Sequence, residues 1–413
     1  MRIACIARVV SLGLVSAFAG AAFGADNDGL TLPAGFSAVV VQEGQGTARH
    51  LDVAANGDIY LGGRNGLSAL RDTNGDGKAD VVTPFGDVKG TEVRIFKNWL
   101  YVSDDVGVYR YPLKKGELAP TGARETVVSE FPKERQHSDK TFTLDPKGTL
   151  YVNVGAPSNS CQEKDRQEGS MGQNPCPILE KYGGVWVFDG TKLNQTPADG
   201  KRFATGMRNA VAIEWNAAQK GLFSVIHGRD SLDTLFPALY NAEDNATRQA
   251  EEFHQIVEGG NYGWPNTFFD NKLARRVLAP EYGGDGKKEP EAGKYPDPLV
   301  AYPAHWAPND LLFYSGKNFP AKYQEGAFIA FHGSWNRAPE PQAGYKVVFQ
   351  PMKNGKPSGA YEVFADGFAG EMKDNNPRNA QYRPVGLAVG PDGSLYISDS
   401  QKGRVWRISY GKK

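Results

Sequence analysis

Six times along the chain, a polar residue stands just ahead of a short apolar-x-apolar strand, an Asx-Gly or similar turn, and a second strand carrying an aromatic residue. The clearest copies are His50 before LDVAANGDIYL, His137 before TFTLDPKGTLYV, and Arg383 ahead of VGLAVGPDGSLYIS. Weaker copies are Arg208-Asn209 before AVAIEWNAAQKGLFSV, His305 ahead of APNDLLFYSGKNFPAKYQEGAFIAF, and Thr91 ahead of VRIFKNWLYVS. One such hairpin cannot bury both of its faces, so it must stack on copies of itself. Hairpins repeated radially give an all-β, six-bladed β-propeller around a central channel. The leading residues then converge on that channel, and five of the six leaders are His or Arg.

Composition agrees with a turn-rich β protein: 49 Gly and 26 Pro for the turns, and 18 Tyr, 21 Phe and 7 Trp to fill gaps between sheets. The best helix-like segment is Asn241 to Glu258, and it is short. Residues 1–24 read as a cleavable signal peptide. Arg2 and Arg8 precede the apolar run Val9 to Phe18, and Ala22-Phe23-Gly24 offers a small-x-small cleavage site. The rival reading, a membrane anchor, is weakened by the shortness of that run. The chain is therefore expected in the periplasm or outside the cell, with residues 25–413 forming one propeller domain and no membrane span. Cleavage leaves Cys161 and Cys176, which in an exported chain are expected to pair. Formal charge is zero, and loss of Arg2 and Arg8 leaves two excess acids. No basic cluster suggests a nucleic-acid partner.

The residue 32–41 stretch LPAGFSAVVV reads as a strand that closes the ring beside GRVWRISY (403–410). The aromatics of the second strands fall at Tyr60, Tyr101, Tyr151, Phe223, Phe328 and Tyr396. Their later spacings exceed the roughly 40–45 residues of a four-stranded blade. Insertions are expected at Ser158 to Tyr182, Arg229 to Gly259 and Asp270 to Pro298, where they would build a binding surface. Asp72, Asn74, Asp76 and Asp80 place oxygens at alternate positions, as in a calcium loop. The same residues also suit an Asn-Gly/Asp-Gly hairpin turn, and no terminal glutamate of the EF-hand kind follows.

Cations converging on one channel repel each other unless an anion joins them, and few acids share their register. A ligand with several carboxylates is implied, gripped by arginines, with a neutral histidine free to act as a base.

Five stretches carry a resemblance: RQHSDKTFTLDPKGTLYVNVG (135–155), GMRNAVAIEW (206–215), VEGGNYGWPN (257–266), LLFYSGKNFP (311–320) and QYRPVGLAVGPDGSLYISD (381–399). In this order they resemble the quinoprotein sugar dehydrogenases, the family of soluble glucose dehydrogenase and sorbosone dehydrogenase. These are six-bladed propellers that use pyrroloquinoline quinone (PQQ) and calcium. FHGSWNR (331–337) is more similar to the sorbosone dehydrogenase branch.

The resemblance implies that His137 takes the proton of the substrate hydroxyl while hydride passes to the quinone. It implies that Arg208 stabilises the developing charge beside the quinone oxygens, with Asn209 next to it on the cofactor. Arg383 matches an arginine on the PQQ carboxylates. Gly228 and Arg229 match the backbone carbonyls that bind the catalytic calcium, a Lewis acid. Arg337 is aligned loosely with the family's cofactor-binding lysine. Three positions depart from glucose dehydrogenase: Gln381 replaces a second arginine, and His227 and Arg229 replace smaller uncharged residues. Tyr262 and Trp264 are expected to pack between blades.

The implied activity is oxidation of a sugar or aldehyde hydrate, with electrons passing to a soluble cytochrome or a quinone. The alternatives are a calcium-dependent lactone hydrolase, which needs a carboxylate-rich channel, and a non-catalytic binding propeller.

Overall fold

The turns show why the repeat folds as it does. In the first hairpin Ala54 N donates to Asp58 O at 2.8 Å, and Gly57 adopts φ +91°. In the third, the Asp145 carboxylate accepts from Lys147 N (2.9 Å) and Thr149 N (2.8 Å), and Gly148 takes φ +96°. Only glycine occupies that backbone region without strain, so in these two hairpins an Asx side chain and a glycine pin the turn and thereby the strand register.

The computed structural model describes residues 27–372 and 375–411; the leader expected at 1–24 lies outside the described residues. Six antiparallel sheets form the blades of a β-propeller, five of them four-stranded and the fifth blade extended by a short extra strand. Their innermost strands are Ala48–Val53, Val93–Phe96, Phe142–Leu144, Ala212–Asn216, Pro308–Phe313 and Pro384–Val389. Ala48–Val53 packs beside both Val93–Phe96 and Pro384–Val389, so the first blade meets the last. Phe36–Gln42 completes the ring by pairing antiparallel with Val405–Tyr410 as the outer strand of the last blade. All six aromatics read from the repeat lie buried on second strands.

The core is a series of apolar wedges between neighbouring blades. The largest joins the last two around Phe36, Phe319, Tyr323, Phe328 and Phe364, with Phe36 and Phe319 rings edge to face at 4.8 Å. Each large side chain removed from water contributes about 1.5–3 kcal/mol.

The inserted segments differ from expectation in their bounds. Cys161 and Cys176 form a disulfide within the first. The helix expected over Asn241 to Glu258 is confined to Ala242–Thr247, where Asn241 caps it by accepting from Asp244 N at 2.9 Å. Glu251–Ile256 is instead the third strand of the fourth blade, its burial following EEFHQI in a mostly alternating pattern. A two-stranded hairpin, Thr267–Asp270 with Arg275–Leu278, then projects from that blade. Tyr262 packs between the third and fourth blades as expected, against Tyr151, Ile213 and Leu222. Trp264 does not: it covers the disulfide loop and donates its indole N–H to Asn159 O at 2.9 Å. No helix among the described residues is long and apolar enough to cross a membrane.

Candidate active site

The segments that lead into the innermost strands surround a cavity of about 750 Å³. His137, Arg208, Asn209, Gly228, His305 and Arg383 all line it, so most of the residues read from the repeat meet in one place.

His137 sits at φ +53°, a conformation that costs a non-glycine residue energy. Its Nδ1 lies 2.5 Å from Ala156 O. A carbonyl can only accept, so Nδ1 carries the proton and Nε2 is left as the basic nitrogen. Burial, and next the charge of Arg208, pushes the imidazole down to about 3, so it is neutral at ordinary pH. Gly155 permits this packing, since a Cβ there would stand 2.6 Å from His137 Cβ and 2.8 Å from Asn209 Oδ1.

Arg208 is buried and donates to the Asp230 carboxylate at 2.5 Å and to Gly228 O at 3.0 Å. Its Nε has no hydrogen-bond partner among the described residues. Burial disfavours the Asp230 charge, but Arg208, His305 and Arg166 outweigh it and hold this carboxyl well below the usual range. Arg383 donates to the backbone oxygens of His332 (3.1 Å) and Gly333. Asn209 Oδ1 accepts from Asn153 at 3.1 Å.

The acids correct the picture of a channel of cations alone. Asp139, Asp230 and Glu251 also line the cavity. Asp139 binds Arg49 at 2.8 Å and Arg64 at 2.9 Å. Glu251 accepts from Gly228 N (2.8 Å) and Ala307 N (3.1 Å), and burial pushes it up to about 7.

Register explains which leaders face inward. The first, fifth and sixth innermost strands each carry a one-residue shift at their start. Because side chains alternate, one extra residue exchanges the faces. In the first blade Arg49 therefore reaches the cavity, while His50 is fully buried and bridges Thr91 O (3.0 Å) and Asn309 O (2.8 Å).

Two expected cofactor contacts are engaged outside the cavity lining. Arg337 donates to the carbonyls of Pro341, Ala246 and Ala304, and Gln381 is exposed near Gly370. Neither lines the cavity. The Arg229 side chain turns outward to Glu281.

In the Asp72 loop, Asp72 accepts from Asn74 N, Gly75 N and Gly77 N, while Asp80 accepts from Thr73 and Asn74. The loop links two strands of the first blade as a turn closed on itself. Among the described residues no group of three or more His, Cys, Asp or Glu is arranged to hold a metal.

Sequence reading missed Arg49, Arg64, Asp139, Arg166, Asp230, His332 and Trp335 as lining residues. Several neighbour residues that were read, and only the fold shows which member of each pair turns inward.

The profile of the TrAA12-like family matches residues 30–411. The chain belongs to the TrAA12-like family. An uncharacterised protein of Borreliella burgdorferi is 28% identical over 211 residues, covering 51% of this chain and 48% of that protein. The PQQ-dependent pyranose dehydrogenase of Coprinopsis cinerea is 26% identical over 281 residues, 58% of this chain and 36% of that one. This TrAA12-like chain thus spans half or less of the length of the curated relatives it matches.

Among solved structures, the holo PQQ domain of the Coprinopsis enzyme superposes with TM-score 0.68 at 21% identity, over 92% of this chain and 97% of that domain. The calcium structure of a Trichoderma reesei family AA12 enzyme gives TM-score 0.73 at 18% identity, over 93% and 97% of the two chains. These similarities show that the TrAA12-like chain shares their fold.

Proposed function

We propose that this chain oxidises a sugar or aldose-type substrate at a hemiacetal or aldehyde hydrate, with PQQ as hydride acceptor and calcium assisting. The observation that carries this reading is His137: a neutral imidazole, its Nδ1 held by Ala156 O, in a cavity lined by arginines. The kinship with PQQ-dependent enzymes supports the choice of cofactor.

The residues present suit the cofactor. Arg49, Arg208 and Arg383 offer guanidinium groups for its carboxylates, and the buried Nε of Arg208 is a donor still without a partner. PQQ, when bound, supplies an electron-poor quinone that accepts hydride. His137 Nε2 takes the proton from the substrate hydroxyl, with its ring orientation held through Nδ1. Arg208, fixed by Asp230, keeps a positive charge where negative charge grows. Glu251 holds the Gly228 and Ala307 backbones in place through its two oxygens.

Calcium suits this site only as an ion whose shell is completed by other oxygens. The Gly228 and Arg229 carbonyls would hold it, and Gly228 O, already accepting from Arg208, keeps a second lone pair. The remaining donors of its six to eight oxygens would come from cofactor and water. Its contribution would be polarisation of a quinone carbonyl.

Electrons would then leave to a soluble cytochrome or a quinone. Export through the 1–24 leader to the periplasm or beyond is supported by the Cys161–Cys176 disulfide. A lactone hydrolase is disfavoured because Asp139 and Asp230 are each engaged by two arginines rather than left to cage an ion.

The test is titration of the purified protein with PQQ, with and without calcium, followed by dye-linked turnover of aldoses, sorbosone and simple aldehydes. Calcium-dependent binding with bleaching by one sugar is expected. Absence of binding at micromolar PQQ would sink the cofactor assignment and favour a binding propeller.

A further inference from the structure

The cavity's arginines lie in two tiers. Arg49 and Arg208 are buried at its floor, whereas Arg64, Arg166 and Arg135 stand toward solvent at its mouth. Arg64 is engaged by Asp139, and Arg166 by Asp230. Arg135 is different. Its guanidinium makes no hydrogen bond or ion pair among the described residues, although Glu134 adjoins it in sequence. Glu134 accepts the Tyr182 hydroxyl at 2.5 Å. Asp165 accepts from Ser158 (2.6 Å), Asn159 N (3.0 Å) and Gln136 (2.9 Å). Both of these acids are therefore engaged elsewhere, and an unpaired cation is left two residues from His137.

The same mouth carries Trp335, which is 58% exposed and makes no contact with another aromatic ring among the described residues. An indole face open to water at a cavity mouth is an apolar platform for the C–H face of a sugar ring. A platform and an unpaired guanidinium lining one cavity suit a ring that bears a negative charge.

We infer that the mouth binds a sugar carrying a carboxylate, a uronic acid, with the carboxylate on Arg135 and the ring on Trp335. This rests on the dehydrogenase reading for its place in a reaction, but not for the binding itself. Arg135 meets the carboxylate by a charge-assisted, two-point contact that a neutral hexose cannot make.

The experiment is calorimetric titration of the full chain with D-galacturonate against D-galactose, which differ only at C6. Wild type, Arg135→Gln and Arg135→Lys are compared, and dye-linked turnover of both sugars by PQQ-loaded enzyme runs in parallel. The inference expects galacturonate to bind about tenfold more tightly than galactose. Arg135→Gln should remove that ratio, Arg135→Lys should keep part of it, and added salt should lower it. Equal binding of the two sugars, or a ratio untouched by Arg135→Gln, overturns the inference even where neutral aldoses are oxidised. A ratio that depends on Arg135, without PQQ bleaching by either sugar, supports the binding site and overturns the dehydrogenase reading instead.

Discussion

Replacing Glu281 by Gln should unsettle the whole inserted wall of the cavity. Glu281 and Arg229 are an ion pair with side chains 0% and 3% exposed. Glu281 also accepts the Ser160 hydroxyl at 2.9 Å, and Gly172 N donates to its carbonyl, so it ties the disulfide segment to the Arg229 loop. Glu281→Gln leaves a buried guanidinium without a counter-charge, a change that costs about 3–5 kcal/mol. At about 2.1 cal/mol/K of unfolding entropy per residue over the roughly 380 described residues, Tm should fall by about 4–6 °C. In the double variant Arg229→Met/Glu281→Leu both charges are gone, and stability should return to within about 1 kcal/mol of wild type or exceed it. Calorimetry of wild type, Glu281→Leu, Arg229→Met and the double variant closes the cycle, with Glu281→Gln measured alongside. A single variant within about 1 kcal/mol of wild type, or a double variant worse than either single, would refute the claim that an unpaired buried charge sets the cost.

His137→Ala should abolish dye-linked turnover while PQQ still binds, measured by quinone absorbance; unchanged turnover removes His137 as the base. Because His137 is pushed down to about 3 from an ordinary 6.5, the native state binds fewer protons than the unfolded state between those values. Its contribution to stability is present above pH 6.5 and is lost as pH falls toward 3, by less than about 1.4 kcal/mol per unit given its partial exposure. His137→Gln should flatten that part of the stability profile, read by denaturant unfolding at pH 4 to 7, and wild-type kcat/KM should show no acid limb near pH 6.5. Cys161→Ser/Cys176→Ser should lower stability by about 3 kcal/mol for a loop of this length. A loss below about 1 kcal/mol would mean that the loop's own hydrogen bonds hold it. Arg383→Met should weaken PQQ binding by about tenfold or more with an unchanged unfolding midpoint.

The strand repeat carried the architecture because each copy states it locally. Asx-Gly pins a turn, apolar alternation faces a neighbour, and an aromatic fills the wedge, so Tyr60, Tyr101 and Tyr396 announce their places without any long-range information. The same local grammar brought His137, Arg208, Asn209 and Arg383 to one cavity. It misled over Asn241 to Glu258, where a six-residue helix gives way to a strand that pairs with Gly221–Ile226 and Val300–Tyr302, and partners so distant leave little local trace. Local pattern could not say that Arg49 rather than His50 faces the cavity, since one bulged residue reverses a strand's faces. It also could not supply charge partners. Asp230 meets Arg166 and Arg208, and Glu281 meets Arg229, across separations of 52 to 64 residues in two of the three pairs, whereas Arg337 and Gln381 are held outside the cavity lining. The repeat in the sequence determined the propeller and the residue types gathered at its axis. Tertiary packing alone decided which guanidinium is neutralised and which is left free, because ion pairing depends on distances that only the closed ring sets.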